Sequence, residues 1–294
     1  HADGTQVQPP IALCEEQCLA YAAKLHLGEV LGGLGETGLA ARLRRQAEEL
    51  KQRFQPAFWM PDQGYVALGL DAQKRQIRSV GSQGCECLQS GIVDDSAAAS
   101  IARRLAADDL FTGWGIRTLS ASHPAFDPYS YHRGSVWPFQ HGGCALGLWR
   151  YGLREQVSAL CQAQFEAATL FEYHRLPEVF SGHQRDATHP FPALYPKANA
   201  PQAWSASVLF CFVAALLGLY PHAPRQLLLI DPSLPSWLPE LTLHNLRVGL
   251  ASVTIRFFRK PDGSTGHQVL HQQGPLRILQ QPCPWSLDLS ALSG

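Results

Sequence analysis

The sequence predicts a mainly α protein, part of an all-helical toroid, followed by a small antiparallel β module. Three observations carry this reading. Largely apolar helical stretches alternate with amphipathic ones from residue 11 to residue 220. Long loops rich in Gly, Pro and aromatic residues separate them. After a run of prolines (Pro221, Pro224, Pro232, Pro235, Pro239), the apolar spacing changes from helical to alternating. The division therefore falls between 1–220 and 221–294. In a toroid the inner helices are buried on every side and the outer ones on one side only, which accounts for the alternation. Each helical pair covers its apolar faces only when its neighbours are in place.

Each element follows in order. Residues 11–34 are rich in Ala and Leu and predict a helix, punctuated by Gly35 and Gly38. Over 39–54, Leu39, Leu43, Leu50 and Phe54 share one helical face with charged residues between them, the pattern of a surface helix. Val66, Leu68 and Leu70 alternate as in a short strand. Asp94 or Asp95 caps a helix over 96–106 whose apolar side is Ala98, Ile101 and Leu105. A long loop follows at 111–135, then an apolar helix over 136–152 and an amphipathic one over 153–171. A second loop, 172–202, leads into an apolar helix over 203–220. In the last quarter Leu241/Leu243, Leu246/Val248 and Val253/Ile255/Phe257 alternate, residues 261–264 form a turn, and Val269, Leu276 and Ile278 continue the pattern to 282.

Composition excludes several classes. The 294 residues hold 24 Lys+Arg against 24 Asp+Glu, so there is no basic face for nucleic acid. Hydrophobic residues make up 46%, which excludes a disordered chain. No charged residue lies between Lys197 and Arg225, and residues 203–220 approach the ~20 apolar residues of a membrane span. Ser205, Ser207 and Gly218 interrupt that stretch and basic flanks are missing, so it reads as a buried helix and no membrane partner is expected. No signal peptide is visible, and the start at His1 reads as a piece of a longer chain. The eight cysteines (14, 18, 85, 87, 144, 161, 211, 283) form no C-x-x-C pair. Cys14/Cys18, His183/His189 and His267/His271 have ligand-like spacing but lie far apart along the chain. No metal and no cofactor is therefore expected, and the thiols read as free and buried in a reducing compartment, the cytoplasm. Nothing in the sequence assigns an oligomeric state.

The two long loops carry the candidate chemistry. The first holds Trp114, Arg117, His123, Tyr129, Tyr131, His132 and Arg133, and the following helix start adds Trp137, Gln140 and His141. The second holds Glu172, Glu178 and Asp186 with three histidines. Aromatic faces beside carboxylates and Arg/His donors suit a sugar, whose rings stack and whose hydroxyls need dense hydrogen bonding. The alternative is that these aromatics pack the loops onto the helices. Glu178 follows Pro177 and is flanked by Leu176, Val179 and Phe180. A carboxylate in that setting is either functional or paired, with Arg175 or Arg185 as the ordinary partner.

Several segments resemble the bacterial amylo-α-1,6-glucosidases, the glycogen-debranching family. FDPYSYHRGSVWP (126–138), RLPEVFSGHQRD (175–186) and YPKANAPQAWSAS (195–207) carry the likeness, with IALCEEQ (11–17), SGIVD (90–94), GWGIRTLS (113–120) and WLPELTLHNLRVG (237–249) in matching order. The resemblance implies an (α/α)₆ toroid with a small β module and inverting hydrolysis of α-1,6-linked glucose in an α-glucan or oligosaccharide. Inversion uses two carboxyls ~6.5–9.5 Å apart, an acid on the leaving oxygen and a base on water. The glutamate of L-P-E, Glu178, is the implied general base. The implied acid lies in a W-x-D segment upstream of His1, so the 294 residues alone are expected to be inactive. Trp114, Tyr131, Arg133, Trp137, Gln202 and Glu178 are expected on one concave surface, with Arg117, His132, Gln140 and Trp204 as further sugar contacts and Glu15 and Gln17 approaching the same cavity. Two departures stand out: Ser82-Gln83-Gly84-Cys85-Glu86 replaces a usual S-N-x-G-H, and Gln140 replaces a usual acidic residue. Competing functions are a trehalase-like or mannosylglycerate-hydrolase-like enzyme on the same toroid and a glucan-binding segment without chemistry.

Overall fold

The structure is a computed structural model and describes residues 1–282. Cys283, and with it the end of the 221–294 span, lies outside the described residues. Seven α-helices are described: α1 (Cys14–Gly33), α2 (Thr37–Phe58), α3 (Gly84–Ser90), α4 (Asp95–Leu105), α5 (Pro138–Arg150), α6 (Arg154–Thr169) and α7 (Ala203–Leu217). Their bounds follow local chemistry. Asp94 accepts a hydrogen bond from Ala97 N at 2.7 Å and caps α4, which settles the choice between Asp94 and Asp95. Pro138 opens α5, where its missing N–H costs nothing. Gly218, left-handed at φ 60°, ends α7, and a Cβ there would lie 2.6 Å from the Asp231 backbone. Helix α3 has no counterpart in the sequence reading; seven residues are too few to show a period.

Helices α1, α3, α5 and α7 pack side by side in that order, and α2, α4 and α6 cover α1, α3 and α5. The result is an arc of helical pairs around one large apolar core that runs from Cys14 and Cys18 through Phe54, Ile101 and Leu148 to Phe212. The expectation that the apolar helices are buried all round does not hold for α1 and α7. Leu19, Leu27 and Val30 on α1 and Phe210 on α7 are exposed, because no described residue packs on those faces. Among the described residues no helix is long and apolar enough to cross a membrane.

The Val66–Leu70 alternation is also corrected. Tyr65, Val66 and Ala67 are all fully buried, so burial does not alternate, and the strands are only two residues long, at Tyr65–Val66 and Gly69–Leu70. The second pairs with Ala12–Leu13, so the start of the predicted first helix is strand instead.

The C-terminal strands form two sheets. Glu240–Val248, Ala251–Arg259 and Thr265–Gln273 are antiparallel. A bulge between Leu243 and Leu246, with Asn245 at φ 55°, explains why the apolar alternation changes phase there. In the second sheet Leu227–Ile230 lies between Tyr220–His222, antiparallel, and Arg277–Gln280, parallel. A wholly antiparallel module was expected. The parallel pair arises because the chain leaves Ile230, builds the other sheet, and returns as a crossover. Val269 points to solvent at 41% exposure and is not part of the apolar face. A second core, including Leu217, Leu228, Val253, Ile255 and Phe257, sits under these strands.

Candidate active site

The two long loops are stitched to each other over the helix ends. Val136 and Phe180 exchange backbone hydrogen bonds of 2.9 and 3.1 Å, and Gly182 N bonds to Pro128 O at 2.9 Å. Gly134 and Gly182 make the crossing close: a Cβ on Gly182 would lie 1.7 Å from Gly134 O. This contact sets Tyr131, on one loop, against Glu178, on the other.

A cavity of about 470 Å³ opens there, lined by Glu15, Leu68, Ser82, Thr118, Tyr131, His132, Trp137, Phe139, Gln140, Glu178 and Trp204. Glu15, Ser82, Gln140 and Trp204 lie at the N-terminal ends of α1, α3, α5 and α7, so those ends converge on one place. The partial positive charge of helix N-termini favours carboxylates there.

Glu178 is 8% exposed. Tyr131 Oη donates to its Oε1 at 2.5 Å, and Asn199 N and Nδ2 both donate to Oε2 at 3.1 Å. Gln202 adds a side-chain bond. The Tyr131 hydroxyl foremost, against desolvation and with Asn199 and Gln202 assisting, holds the carboxyl below its ordinary value. Tyr131 is pushed up to about 12 by the same bond. Glu178 is thus an ionised carboxylate held by neutral donors, not by an ion pair. Arg185 instead pairs with Glu166 and lies 4.0 Å above the Trp114 ring, and Arg175 covers Tyr173.

The walls are aromatic. Trp137 donates from Nε1 to Tyr131 O at 2.9 Å and stands edge-on to the Tyr131 ring at 4.7 Å. His132 is parallel to Trp137 at 5.7 Å, and Trp204 stacks on Phe139 at 4.0 Å. Behind the wall, Gln140 Nε2 donates to Glu86 Oε1 at 2.6 Å. Burial first, and then the charge of Glu15, push the Glu86 carboxyl up to about 8. Glu15 is itself raised by burial.

Of the residues expected on one surface, Glu178, Tyr131, His132, Trp137, Gln140, Trp204 and Glu15 do share this cavity, and Gln202 reaches it only through its bond to Glu178. Four others do not line it. Trp114 is 2% exposed, packed under Arg185, and its carbonyl accepts from Gln164 Nε2 at 2.5 Å. Arg117 is 3% exposed and its guanidinium clamps the loops through Gly182 O, Asp108 O and Gln184 Oε1. Arg133 is exposed and donates to Ser130 Oγ. Gln17 faces the α1–α2 groove beside Gln46 and Arg53. Helix phase and loop packing turn these side chains elsewhere. Asn199, which the sequence reading passed over, supplies two of the bonds to Glu178; its place inside the matched segment 195–207 was the available signal. Asp186 serves its own turn, accepting from Thr188 N and His189 N.

Among the described residues, one group is of metal-ligating type. Cys14, Cys18 and Cys87 are fully buried with their sulfurs within 4.8 Å of one another. Cys87, from α3, is the member that sequence spacing did not connect. A separate apolar recess of about 290 Å³ lies among α4, α5 and α6, away from Glu178.

Helical pairs thus converge on an acidic, aromatic-walled cavity. The family model described as the mannosylglycerate hydrolase MGH1-like glycoside hydrolase domain matches residues 14–181, more than half of the chain, and the chain belongs to that glycoside hydrolase family. Among solved structures, an uncharacterized conserved protein from Thermus thermophilus is 16% identical with a TM-score of 0.58, covering 69% of this chain and 48% of its own. The GH63 mannosylglycerate hydrolase of the same organism, in complex with glucose, is 18% identical with a TM-score of 0.56, covering 69% of this chain and 45% of its own. The GH78 rhamnosidase of Bacillus sp. GL1 is 12% identical with a TM-score of 0.64, covering 92% of this chain and 26% of its own. These likenesses show a shared fold, and the chain spans about half the length of the first two. The comparison with curated proteins gave no match.

Proposed function

We propose that this chain carries the base side of an inverting glycosidase cavity for neutral α-linked glucose, of the amylo-α-1,6-glucosidase kind that its segments resemble. In this reading residues 1–220 are part of an (α/α)₆ toroid and 221–294 a β module, and the second apolar core joins the two by taking in Leu217 of α7. The observation that carries the reading is Glu178: a carboxylate kept ionised by Tyr131 and Asn199, at the wall of an aromatic cavity. An ionised group can take a proton from water, and it cannot serve as the acid. The resemblance implies a partner acid in a W-x-D segment, and the 294 residues contain no such segment. The seven described cysteines are all free thiols, which supports a reducing compartment such as the cytoplasm.

A second reading is hydrolysis of a mannoside, favoured by the description of the matched family. The described lining residues include Glu15 and Glu178 and no Lys or Arg. An acidic aglycone such as glycerate meets like charge there, and a neutral glucan does not. The two are separated by assaying a chain extended through the W-x-D segment on α-1,6-branched limit dextrin and on mannosylglycerate. Glucose release with inverted configuration, lost ~10²–10⁴-fold in kcat with little change of KM in Glu178→Gln, supports the first. Mannose release supports the second. Glucan binding without turnover in the extended chain replaces both with a binding role. The 294 residues alone are expected to release no glucose.

A further inference from the structure

The two departures from the resembled pattern, Glu86 and Gln140, are one contact in the folded chain. They lie 54 residues apart and meet at 2.6 Å, with Gln140 Nε2 as donor and Glu86 Oε1 as acceptor. The approach depends on Gly147 of α5, where a Cβ would lie 2.4 Å from the Leu88 backbone of α3. Gln140 lines the cavity with Glu15 and Glu178. Glu86 stands behind it, with Oε2 shut from solvent and without a hydrogen-bond partner. The Gln140 oxygen is not among the buried unpartnered atoms, and with the amide nitrogen held by Glu86 the oxygen is the end of the amide left for the cavity that Gln140 lines.

We propose that Glu86 and Gln140 are a positioning pair: Glu86 anchors the Gln140 amide by its nitrogen, so that the Gln140 carbonyl oxygen stands in the cavity as a fixed acceptor for a ligand hydroxyl. The proposal rests on the glycosidase reading of the cavity. A free primary amide offers donors at one end and an acceptor at the other and turns between them. Anchored by its nitrogen, Gln140 offers the acceptor end alone. It does so without charge, so the cavity gains an acceptor and no third carboxylate beside Glu15 and Glu178.

The test uses the 294-residue chain, with isomaltose and glucose as probes, Trp fluorescence for affinity and side-chain amide NMR for the pair. Leucine at position 86, Glu86→Leu, should shift the Gln140 NH₂ resonances, speed their exchange and weaken isomaltose binding ~3- to 10-fold, the effect of one hydrogen bond. Glu86→Gln retains an acceptor oxygen and should restore both the resonances and, to within about twofold, the affinity. Gln140→Leu should weaken binding as much as Glu86→Leu, and the double variant no further. If Glu86→Leu fails to fold by near-UV circular dichroism, Glu86→Gln and Gln140→Leu carry the comparison. Wild-type-like affinity in Gln140→Leu, Gln140 resonances indifferent to position 86, or a loss in Glu86→Gln as large as in Gln140→Leu each overturns the proposal. Failure of wild type to bind either sugar, with the amide signature intact, overturns the acceptor role and leaves the glycosidase reading to the assay of the extended chain.

Discussion

Tyr131 Oη lies 2.5 Å from Glu178 Oε1, across 47 residues of chain, and the two belong to different loops. The bond holds Glu178 ionised and makes the Tyr131 phenol hard to ionise. It exists because Gly134 and Gly182 let the loops cross in contact.

Removing the hydroxyl should move the carboxylate. In Tyr131→Phe the Glu178 pKa should rise toward its ordinary value, since its first stabilising donor is gone and desolvation remains. The acidic limb of a pH–rate profile of kcat/KM, or a direct NMR titration of the Glu178 carboxyl, should shift to higher pH. An unmoved limb would show that Asn199 and Gln202 set the charge without Tyr131.

The two tryptophans should behave differently. Trp204 is 46% exposed and stacks on Phe139, so Trp204→Ala should weaken isomaltose binding several-fold while changing stability by no more than ~0.5 kcal/mol. Trp137 is 7% exposed and packs against Tyr131, so Trp137→Ala should cost ~3–5 kcal/mol and lower the melting temperature sharply. Equal melting temperatures for the two variants would contradict this placement.

Packing of α3 on α5 leaves no room at Gly147. Gly147→Ala should destabilise by ~1–3 kcal/mol, because the new methyl meets the Leu88 backbone. Gly33→Ala, at the end of α1 with nothing within 4 Å, should be neutral or stabilising by up to ~1 kcal/mol. Chemical denaturation of the pair decides it, and a stable Gly147→Ala would mean that the helices sit further apart.

Glu86 should make stability fall with rising pH. Its folded value of about 8 lies above the ordinary 4.5, so the folded chain holds a proton that the unfolded chain releases. The contribution is full below the unfolded value and is lost as pH rises through about 8. Glu15 and Cys18 on α1 face it, and Glu15 is raised too, with the same sign. The melting temperature of wild type should therefore drop more between roughly pH 5 and pH 8.5 than that of Glu86→Gln. Parallel curves would remove Glu86 as the cause.

Much of the helical order was legible because long helices repeat their apolar side chains every turn. Leu43, Leu50 and Phe54 announced α2, and Asp94 announced the start of α4. Helix α3 was not legible: seven residues show no period, and its burial comes from α1 and α5 packing over it. In the site, Glu178 stood out through its apolar neighbours and its segment, whereas Asn199 did not, because a loop side chain bonding to a carboxylate leaves no spacing signature.

The sequence by itself determined the class of fold, the switch from helices to strands after residue 220, and the loops that hold the cavity residues, since periodicity and turn chemistry are local properties. Only the tertiary structure decided which loop residues face the cavity: Tyr131 and Trp137 do, and Arg117 and Trp114, close by in the chain, turn into the packing. It alone joined Glu86 to Gln140 and gathered Cys87 with Cys14 and Cys18. Such pairings depend on how closely helices far apart in the chain approach, and that distance is set by what packs between them, a glycine at 147 facing the Leu88 backbone, and by no pattern within either segment.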